Sequence, residues 1–116
     1  MIKIYHNNRC KKSREAVEYL KEKKIKFTII EYLKVNLSID EMTILISKLN
    51  IDPINLVRKN EIIWKDKFKK QDHSKLDIIK ILVSNPKLIE RPIIENSDKA
   101  VIGRPIENLI EFLKSN

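Results

Sequence analysis

The order of apolar and polar residues in the first third of the chain predicts a strand, a helix and a second strand. Apolar and polar positions alternate over residues 2–5, which is typical of a strand with one buried face. A helix is predicted over residues 12–23, and Asn7 and Asn8 are residue types that can cap its start. Alternation returns over residues 25–32 and predicts the second strand. The apolar residues on one face of the helix are Ala16, Val17 and Leu20.

Helical patterns occupy the middle of the chain. Ser38 and Glu41 form a capping box, in which each side chain can bond the other residue's backbone N–H, and they predict the start of a helix. Asp52 followed by a proline predicts a second, short helix that runs toward Arg58. The residues expected to face inward from the first of these helices are Met42, Leu45, Ile46 and Leu49.

A third helix of this middle region is predicted to begin at Ser74, because Asp77 completes another capping pattern. It is expected to end before Asn85, which precedes a proline. Residues 59–72 have weak periodicity and receive no firm assignment. The residues expected to face inward from this helix are Leu76, Ile79, Leu82 and Val83.

The last part of the chain predicts a hairpin and a final helix. Two short strands are expected over residues 92–95 and 99–102, and a turn of Asn, Ser and Asp joins them. Gly103 is the only glycine, and its position after the second strand predicts a tight backbone turn. The final helix is predicted to begin at Pro105. The residues expected to be buried on it are Ile106, Leu109, Ile110 and Leu113.

These elements predict an α/β domain with the order β-α-β, helical insertion, β-β-α. The first unit implies a parallel strand pair with a right-handed crossover, and the last unit adds an antiparallel hairpin. A mixed sheet flanked by helices in this order is the thioredoxin-like arrangement. We expect one domain over residues 1–116, with the helical insertion at about residues 38–86.

Composition limits the partners and the compartment. No apolar run is long enough to cross a membrane, and the single cysteine suits a reducing cytoplasm because it cannot form an internal disulfide. The net charge is +8, but the lysines are scattered rather than interleaved with aromatic residues, so we expect no direct nucleic-acid binding. A basic protein of this kind attracts small anions. We expect no bound metal, because one cysteine and two distant histidines make a poor metal site. We also expect the protein to be a monomer.

Cys10 lies where the first strand passes into the first helix, and its surroundings favour a thiolate. A helix N-terminus carries unpaired N–H groups, and four nearby cations should lower the thiol pKa further. A buried structural cysteine is the alternative, although it fits this polar surrounding poorly. Ser13 could face the sulfur or simply start the helix, and His6 could tune the thiol or cap the loop. The four cations are Arg9, Lys11, Lys12 and Arg14.

Three arginines lie next to residues that end secondary-structure elements. Arg58 ends the short helix, Arg91 precedes a proline, and Arg104 lies between Gly103 and Pro105. Arginine suits oxyanion binding because its planar guanidinium donates two parallel hydrogen bonds. Any one of these arginines could be a surface residue, but the three together suggest an oxyanion site.

The segments 6–14, 56–59, 89–93 and 103–105 occur in the same order as motifs of a known family. They read HNNRCKKSR, LVRK, IERPI and GRP. With these four motifs the chain resembles the glutaredoxin-dependent arsenate reductases (ArsC), part of the ArsC/Spx branch of thioredoxin-like proteins. The resemblance extends over essentially the whole chain.

The resemblance implies that Cys10 is the nucleophile that attacks arsenate and that Arg58, Arg91 and Arg104 hold the oxyanion. It implies that Pro92 is the cis-proline of the fold. It also implies that no cofactor is bound, and that an external small thiol such as glutathione, followed by glutaredoxin or a similar thiol reductase, releases arsenite. The residues expected to tune the thiolate are His6, Ser13 and Arg14.

Several departures from the family pattern leave other functions open. Asn8 stands where the family often has proline, and Lys11 and Lys12 replace small residues. Spx-type regulators, which bind RNA polymerase, usually have a second cysteine where this chain has Ser13. The alternatives are therefore a regulator of that type and a thiol reductase of another small oxidised substrate.

Overall fold

A computed structural model describes residues 1–114 of the chain. Within them, four strands and five α-helices form in the predicted order of β-α-β, a helical middle and β-β-α. Short 3₁₀ helices cover Pro53–Leu56 and Pro86–Leu88. The elements are β1 (Ile2–Tyr5), α1 (Lys11–Glu22), β2 (Phe27–Ile30), α2 (Ile39–Leu49), α3 (Ile62–Lys67), α4 (Lys75–Ser84), β3 (Ile93–Glu95), β4 (Ala100–Ile102) and α5 (Ile106–Lys114).

The four strands form one mixed sheet in the order β2-β1-β3-β4. β1 pairs with β2 in parallel, which aligns Ile4 with Ile29. β3 pairs antiparallel with β1, which aligns Ile94 with Ile4, and β3 pairs antiparallel with β4. The predicted parallel pair and antiparallel hairpin are both confirmed.

The chain forms two compact units. The first, here called the sheet unit, consists of residues 1–35 and the residues from Arg91 onward, and it contains all four strands with α1 and α5. The second, the helical unit, consists of residues 36–90 and contains α2, α3 and α4. The helical insertion expected at about residues 38–86 lies within the helical unit.

The core of the sheet unit forms where α1 and α5 pack on the sheet. α1 contributes the three residues that its spacing predicted, because they repeat at helical intervals. In α5, Leu109 is buried as predicted, Ile106, Ile110 and Leu113 are half-buried, and Phe112 is a buried residue that the prediction omitted. The core residues are Ile4, Ala16, Val17, Leu20, Ile94, Leu109 and Phe112.

In the helical unit, α2 and α4 pack against each other, and both begin with the predicted capping boxes. Ser38 accepts a hydrogen bond from the Glu41 N–H at 3.0 Å, and Ser74 accepts one from the Asp77 N–H at 3.0 Å. The inward position of Leu76 was wrong, because its side chain is 49% exposed. The stripe that α4 buries is Ile78, Ile79 and Leu82.

Residues 59–72, which received no firm assignment, contain the short helix α3. Its one buried side chain, Trp64, lies beside the rings of Phe68 and His73, with ring centroids 5.9 Å away in each case. Six residues are too few to show helical periodicity, which explains why the sequence pattern was weak.

Among residues 1–114, no helix is long and apolar enough to cross a bilayer.

The single glycine serves a different purpose from the predicted turn. Gly103 does not have a positive φ, so backbone freedom is not what this position needs. A Cβ there would lie 2.5 Å from Cδ1 of Ile94 and 3.4 Å from Cγ of Pro92. Gly103 is therefore required by the close approach of β3 and its buried side chains.

Candidate active site

Cys10 is the N-cap of α1, with an extended backbone (φ −94°, ψ 121°) immediately before the first helical residue. The sequence suggested Asn7 or Asn8 as the cap, but neither residue is the cap. Asn7 instead shapes the loop, since its carbonyl accepts from the Cys10 N–H at 3.0 Å and its side chain accepts from the Arg9 N–H at 3.0 Å. This loop aims Cys10 at the positive end of the helix.

The Cys10 side chain is buried, with 7% of its surface exposed. Burial raises the pKa of the thiol, because it penalises the charged form. The backbone amides of Ser13 and Lys12, together with the hydrogen bond and charge of the Arg91 guanidinium, lower the pKa by more. The net result is a pKa below the ordinary value, so Cys10 is both buried and acidic.

The charged group that contributes most to this acidity is distant in sequence. Among the side-chain charges, the Arg91 guanidinium has the largest effect on the Cys10 pKa. Of the nearby cations, Arg14 donates to the Asn8 carbonyl at 2.9 Å, and the Lys12 ammonium lies 3.9 Å from the Glu15 carboxylate. The predicted effect of the helix N-terminus on the pKa is therefore confirmed, whereas the main side-chain charge is Arg91 and not one of the four local cations.

Arg91 also has an unused hydrogen-bond donor. Its Nε is buried and has no hydrogen-bond partner among the described residues. A buried unsatisfied donor is costly, and a guanidinium beside a thiolate suits a second anion, such as an oxyanion, bound through parallel N–H groups. The peptide bond from Arg91 to Pro92 is cis, which is the state that the resemblance implied for Pro92.

The Ser13 side chain forms hydrogen bonds with His6 and Asn7. Its Oγ lies 2.6 Å from Nδ1 of His6 and accepts a hydrogen bond from the Asn7 N–H at 3.1 Å. Both His6 and Ser13 are buried, and Ser13 has no exposed surface. The hydroxyl therefore fixes the loop before Cys10, and it is the Ser13 backbone amide that acts on the thiol pKa.

His6 is held in its neutral form. Burial lowers its pKa, and the charges of Arg14 and Lys21 lower it further, while Glu31 opposes them. Neutral His6 needs a partner for Nδ1, and the Ser13 hydroxyl supplies one at 2.6 Å. Of the three residues expected to tune the thiolate, His6 and Ser13 contact each other and Arg14 secures the loop carbonyl of Asn8.

Arg104 is exposed at the end of β4, and no carboxylate of residues 1–114 lies within ion-pair distance of it. Asn108, which sequence reasoning missed, holds the backbone on either side of Gly103. Its Nδ2 donates to the Ile102 carbonyl at 3.2 Å and to the Arg104 carbonyl at 3.1 Å. An asparagine in the first turn of a predicted helix, just after a GRP motif, is the signal that could have identified it.

Arg58 belongs to the helical unit and is paired with two carboxylates there. Its Nη1 lies 3.1 Å from Glu61 and its Nε lies 3.7 Å from Glu90. The sequence did not predict either pairing. The convergence of Arg58, Arg91 and Arg104 on the sulfur stays a prediction.

Within residues 1–114, no three His, Cys, Asp or Glu side chains come together as metal ligands.

Comparison with known sequences identifies close relatives along nearly the whole chain. The sequence model of the ArsC family matches residues 5–112. The chain is 38% identical over 112 residues to the arsenate reductase of Haemophilus influenzae, which covers 95% of this chain and 97% of that protein. It is 36% identical over 114 residues to an uncharacterized protein of Escherichia coli strain K12, which covers 97% of this chain and 96% of that protein.

Comparison with solved structures gives the same result. The arsenate reductase from Vibrio cholerae superimposes with a TM-score of 0.89 at 32% sequence identity. The match covers 95% of this chain and 95% of that structure. The thioredoxin-like α/β fold predicted from the order of elements is thereby confirmed.

Proposed function

Because the chain belongs to the ArsC family, we propose that it is an arsenate reductase that works through the Cys10 thiolate. The observation that carries the proposal is the Arg91 guanidinium, which stabilises the Cys10 thiolate and has a buried, unused Nε. A thiolate is the nucleophilic form of cysteine, and its pKa is lowered by the helix N-terminus as well as by Arg91. The Cys10 thiolate and the proposed binding position of the substrate therefore lie beside the same Arg91 guanidinium.

In the proposed reaction, the Cys10 sulfur attacks the arsenic atom of arsenate and one oxygen leaves as water after accepting protons. The product is a covalent arsenate adduct on Cys10. Arg91 offsets the negative charge that is brought together in this step, which is the role of a preorganised cation in the transition state. The roles of Arg58 and Arg104 in holding the oxyanion carry over from the resemblance and remain predictions.

Two external thiols complete the proposed cycle. They supply two electrons, arsenic passes from the +5 to the +3 state, and the two thiols end as one disulfide while arsenite leaves Cys10. We propose glutathione or an equivalent small thiol as the first donor and glutaredoxin or a similar reductase as the second. A reducing cytoplasm is the proposed location, because the cycle needs Cys10 as a free thiol.

The direct test is arsenate-dependent NADPH oxidation with glutathione, glutaredoxin and glutathione reductase supplied. We expect turnover by the native chain and none by Cys10→Ala. Arg91→Gln should lower kcat/KM by about 10²–10³-fold, as does removal of one donor that stabilises transition-state charge. Failure of the native chain to turn over arsenate, with the Vibrio cholerae relative active in the same assay, would contradict the proposal.

A further inference from the structure

A backbone pairing in the helical unit fixes Arg58 beside Glu90. The Arg58 N–H donates to the Leu88 carbonyl at 2.7 Å, and the Glu90 N–H donates to the Leu56 carbonyl at 2.9 Å. Between these bonds, Val57 and Ile89 form an antiparallel bridge. Because main-chain bonds hold both segments, the Arg58 and Glu90 side chains leave the backbone from adjacent, fixed positions.

A second carboxylate approaches the same guanidinium from α3. Glu61 is the N-cap of α3, and its N–H donates to the Arg58 carbonyl at 3.2 Å. Its carboxylate lies 3.1 Å from Nη1 of Arg58, whereas the Glu90 carboxylate lies 3.7 Å from Nε. The three side chains are only 22–33% exposed, so this cluster is less screened by water than the pairs on α1 and α5, whose side chains are 61–76% exposed.

The two glutamates differ in what they do to Arg58. The Glu61 distance lies within the range of an N–H···O hydrogen bond, so this carboxylate contacts Nη1 directly. The Glu90 distance is too long for a hydrogen bond, so this residue contributes charge without occupying a donor. An anion that binds Arg58 through the Nη1 N–H facing Glu61 must therefore displace Glu61 but not Glu90.

We propose that Glu61 determines oxyanion affinity by competing with the anion for the Nη1 donor of Arg58. The proposal rests on the anion-binding role of Arg58 in the proposed function. Glu61 pairs with the guanidinium until an oxyanion replaces it, so oxyanion binding is weakened by the need to break this pair. The same pair holds Arg58 in place when no anion is bound. Glu90 adds a smaller effect of the same sign.

The test is to measure arsenate affinity in Glu61→Gln and Glu90→Gln. The first measurement is the dissociation constant of arsenate by titration calorimetry in a Cys10→Ser background, which blocks adduct formation. The second is KM and kcat in the coupled assay, with Cys10 intact. Glutamine keeps the size of the side chain and removes its charge. We expect Glu61→Gln to bind arsenate about 2–5-fold more tightly, which is the range set by a partly exposed ion pair, with KM lowered in the same direction. Glu90→Gln should give a smaller gain.

Glu18→Gln is the matched control, because Glu18 pairs with Lys21 on the exposed face of α1 at 3.9 Å and the substitution changes the net charge equally. An equal gain in Glu18→Gln would overturn the proposal, as would unchanged or weaker binding in Glu61→Gln. The gain should also vanish in an Arg58→Gln background, and its persistence there would overturn the proposal. If the parent protein does not bind arsenate, the proposed function itself is contradicted. If the parent protein binds arsenate and Glu61→Gln does not change the affinity, only this inference is contradicted.

Discussion

The Cys10 sulfur is buried, yet its pKa is below that of an ordinary thiol. Burial alone would have had the opposite effect, so the acidity depends on the amides of α1 and on the Arg91 guanidinium. These contributions are separable, because Arg91 can be changed without touching the helix. The cations beside Cys10 in sequence provide natural controls.

Arg91→Gln should raise the pH at which Cys10 becomes alkylated, because the substitution removes a charge and a hydrogen bond that favour the thiolate. The measurement is the rate of iodoacetamide alkylation against pH, with Arg9→Gln as the control. Arg9 is exposed and adjacent to Cys10, so an effect of general positive charge would appear in it as well. An equal shift in both variants would contradict the special position of Arg91.

The neutral state of His6 should make the protein less stable in mild acid. Its pKa is lowered in the fold, mainly by burial, so the unfolded chain binds a proton more readily. The resulting stability is present above the unfolded pKa of about 6.5 and is lost as the pH falls through the lowered folded value. Urea unfolding between pH 7.5 and 5 should show this slope in the native chain and in His73→Gln. In His6→Gln the slope should be much reduced, and an undiminished slope would argue against His6 as its source.

At this scale the sequence predicts which residue is chemically active but not what surrounds it. The place of Cys10 before a helix follows from local pattern, because caps and amides are local features. The contribution of Arg91 depends on the pairing of β3 with β1, which no local pattern encodes. The Ser13–His6 bond was missed for another reason, since the direction of a buried hydroxyl depends on all of its neighbours.

Among the elements, the hairpin of β3 and β4 shows most directly how one position limits the sequence. Gly103 follows β4 and donates its N–H to the Pro92 carbonyl at 2.8 Å. The same approach leaves no space for a Cβ, because Cδ1 of Ile94 would lie 2.5 Å away. Ile94 has no exposed surface and belongs to the core of the sheet unit, so its side chain has little room to move.

Gly103→Ala should destabilise the protein by about 1–3 kcal/mol through this overpacking. Ile94→Val removes Cδ1 and should cost about 0.5–1.5 kcal/mol by itself. The double variant should lose less than the sum of the two, because each substitution relieves the other's defect. Urea denaturation of the four proteins gives the coupling, and strict additivity would show that the contact with Ile94 does not matter.

The helices were predicted better than the faces they bury. Ser38 and Ser74 mark their starts because a capping box is a local pattern with a local cause. The error at Leu76 concerns rotation about the axis of α4, which tertiary packing decides when apolar residues lie on most sides of a helix. The role of Gly103 was misjudged similarly, since the sequence shows a glycine but not the side chain that approaches it.

For the molecule as a whole, the single cysteine determines what the oxidised protein can be. A thiolate is released from a mixed disulfide by a second thiolate, and this chain contains no other cysteine. The Ser13 hydroxyl, which occupies the position of a second cysteine, bonds His6 and has too high a pKa to displace sulfur. The oxidised protein should therefore rest as an adduct with an external thiol.

Oxidised glutathione should add one glutathione to the protein, as measured by intact mass. Glutaredoxin with reduced glutathione should remove it, and Cys10→Ala should gain no mass. The physical reason is that no internal thiolate can attack the mixed disulfide. Turnover of arsenate with thioredoxin as the only thiol, without glutathione or glutaredoxin, would contradict this dependence on an external small thiol.

The sheet unit is assembled from the two ends of the chain, and this gives the order of synthesis a chemical consequence. A ribosome releases β1, α1 and β2 first, and β3 can pair with β1 only after the whole helical unit has been made. Pairings between such distant segments form late, because closing a long loop costs entropy before any contact repays it. Arg91 arrives with β3, so its contribution to the acidity of Cys10 is missing while the chain grows. The thiol therefore reaches its full acidity only when the finished sheet closes.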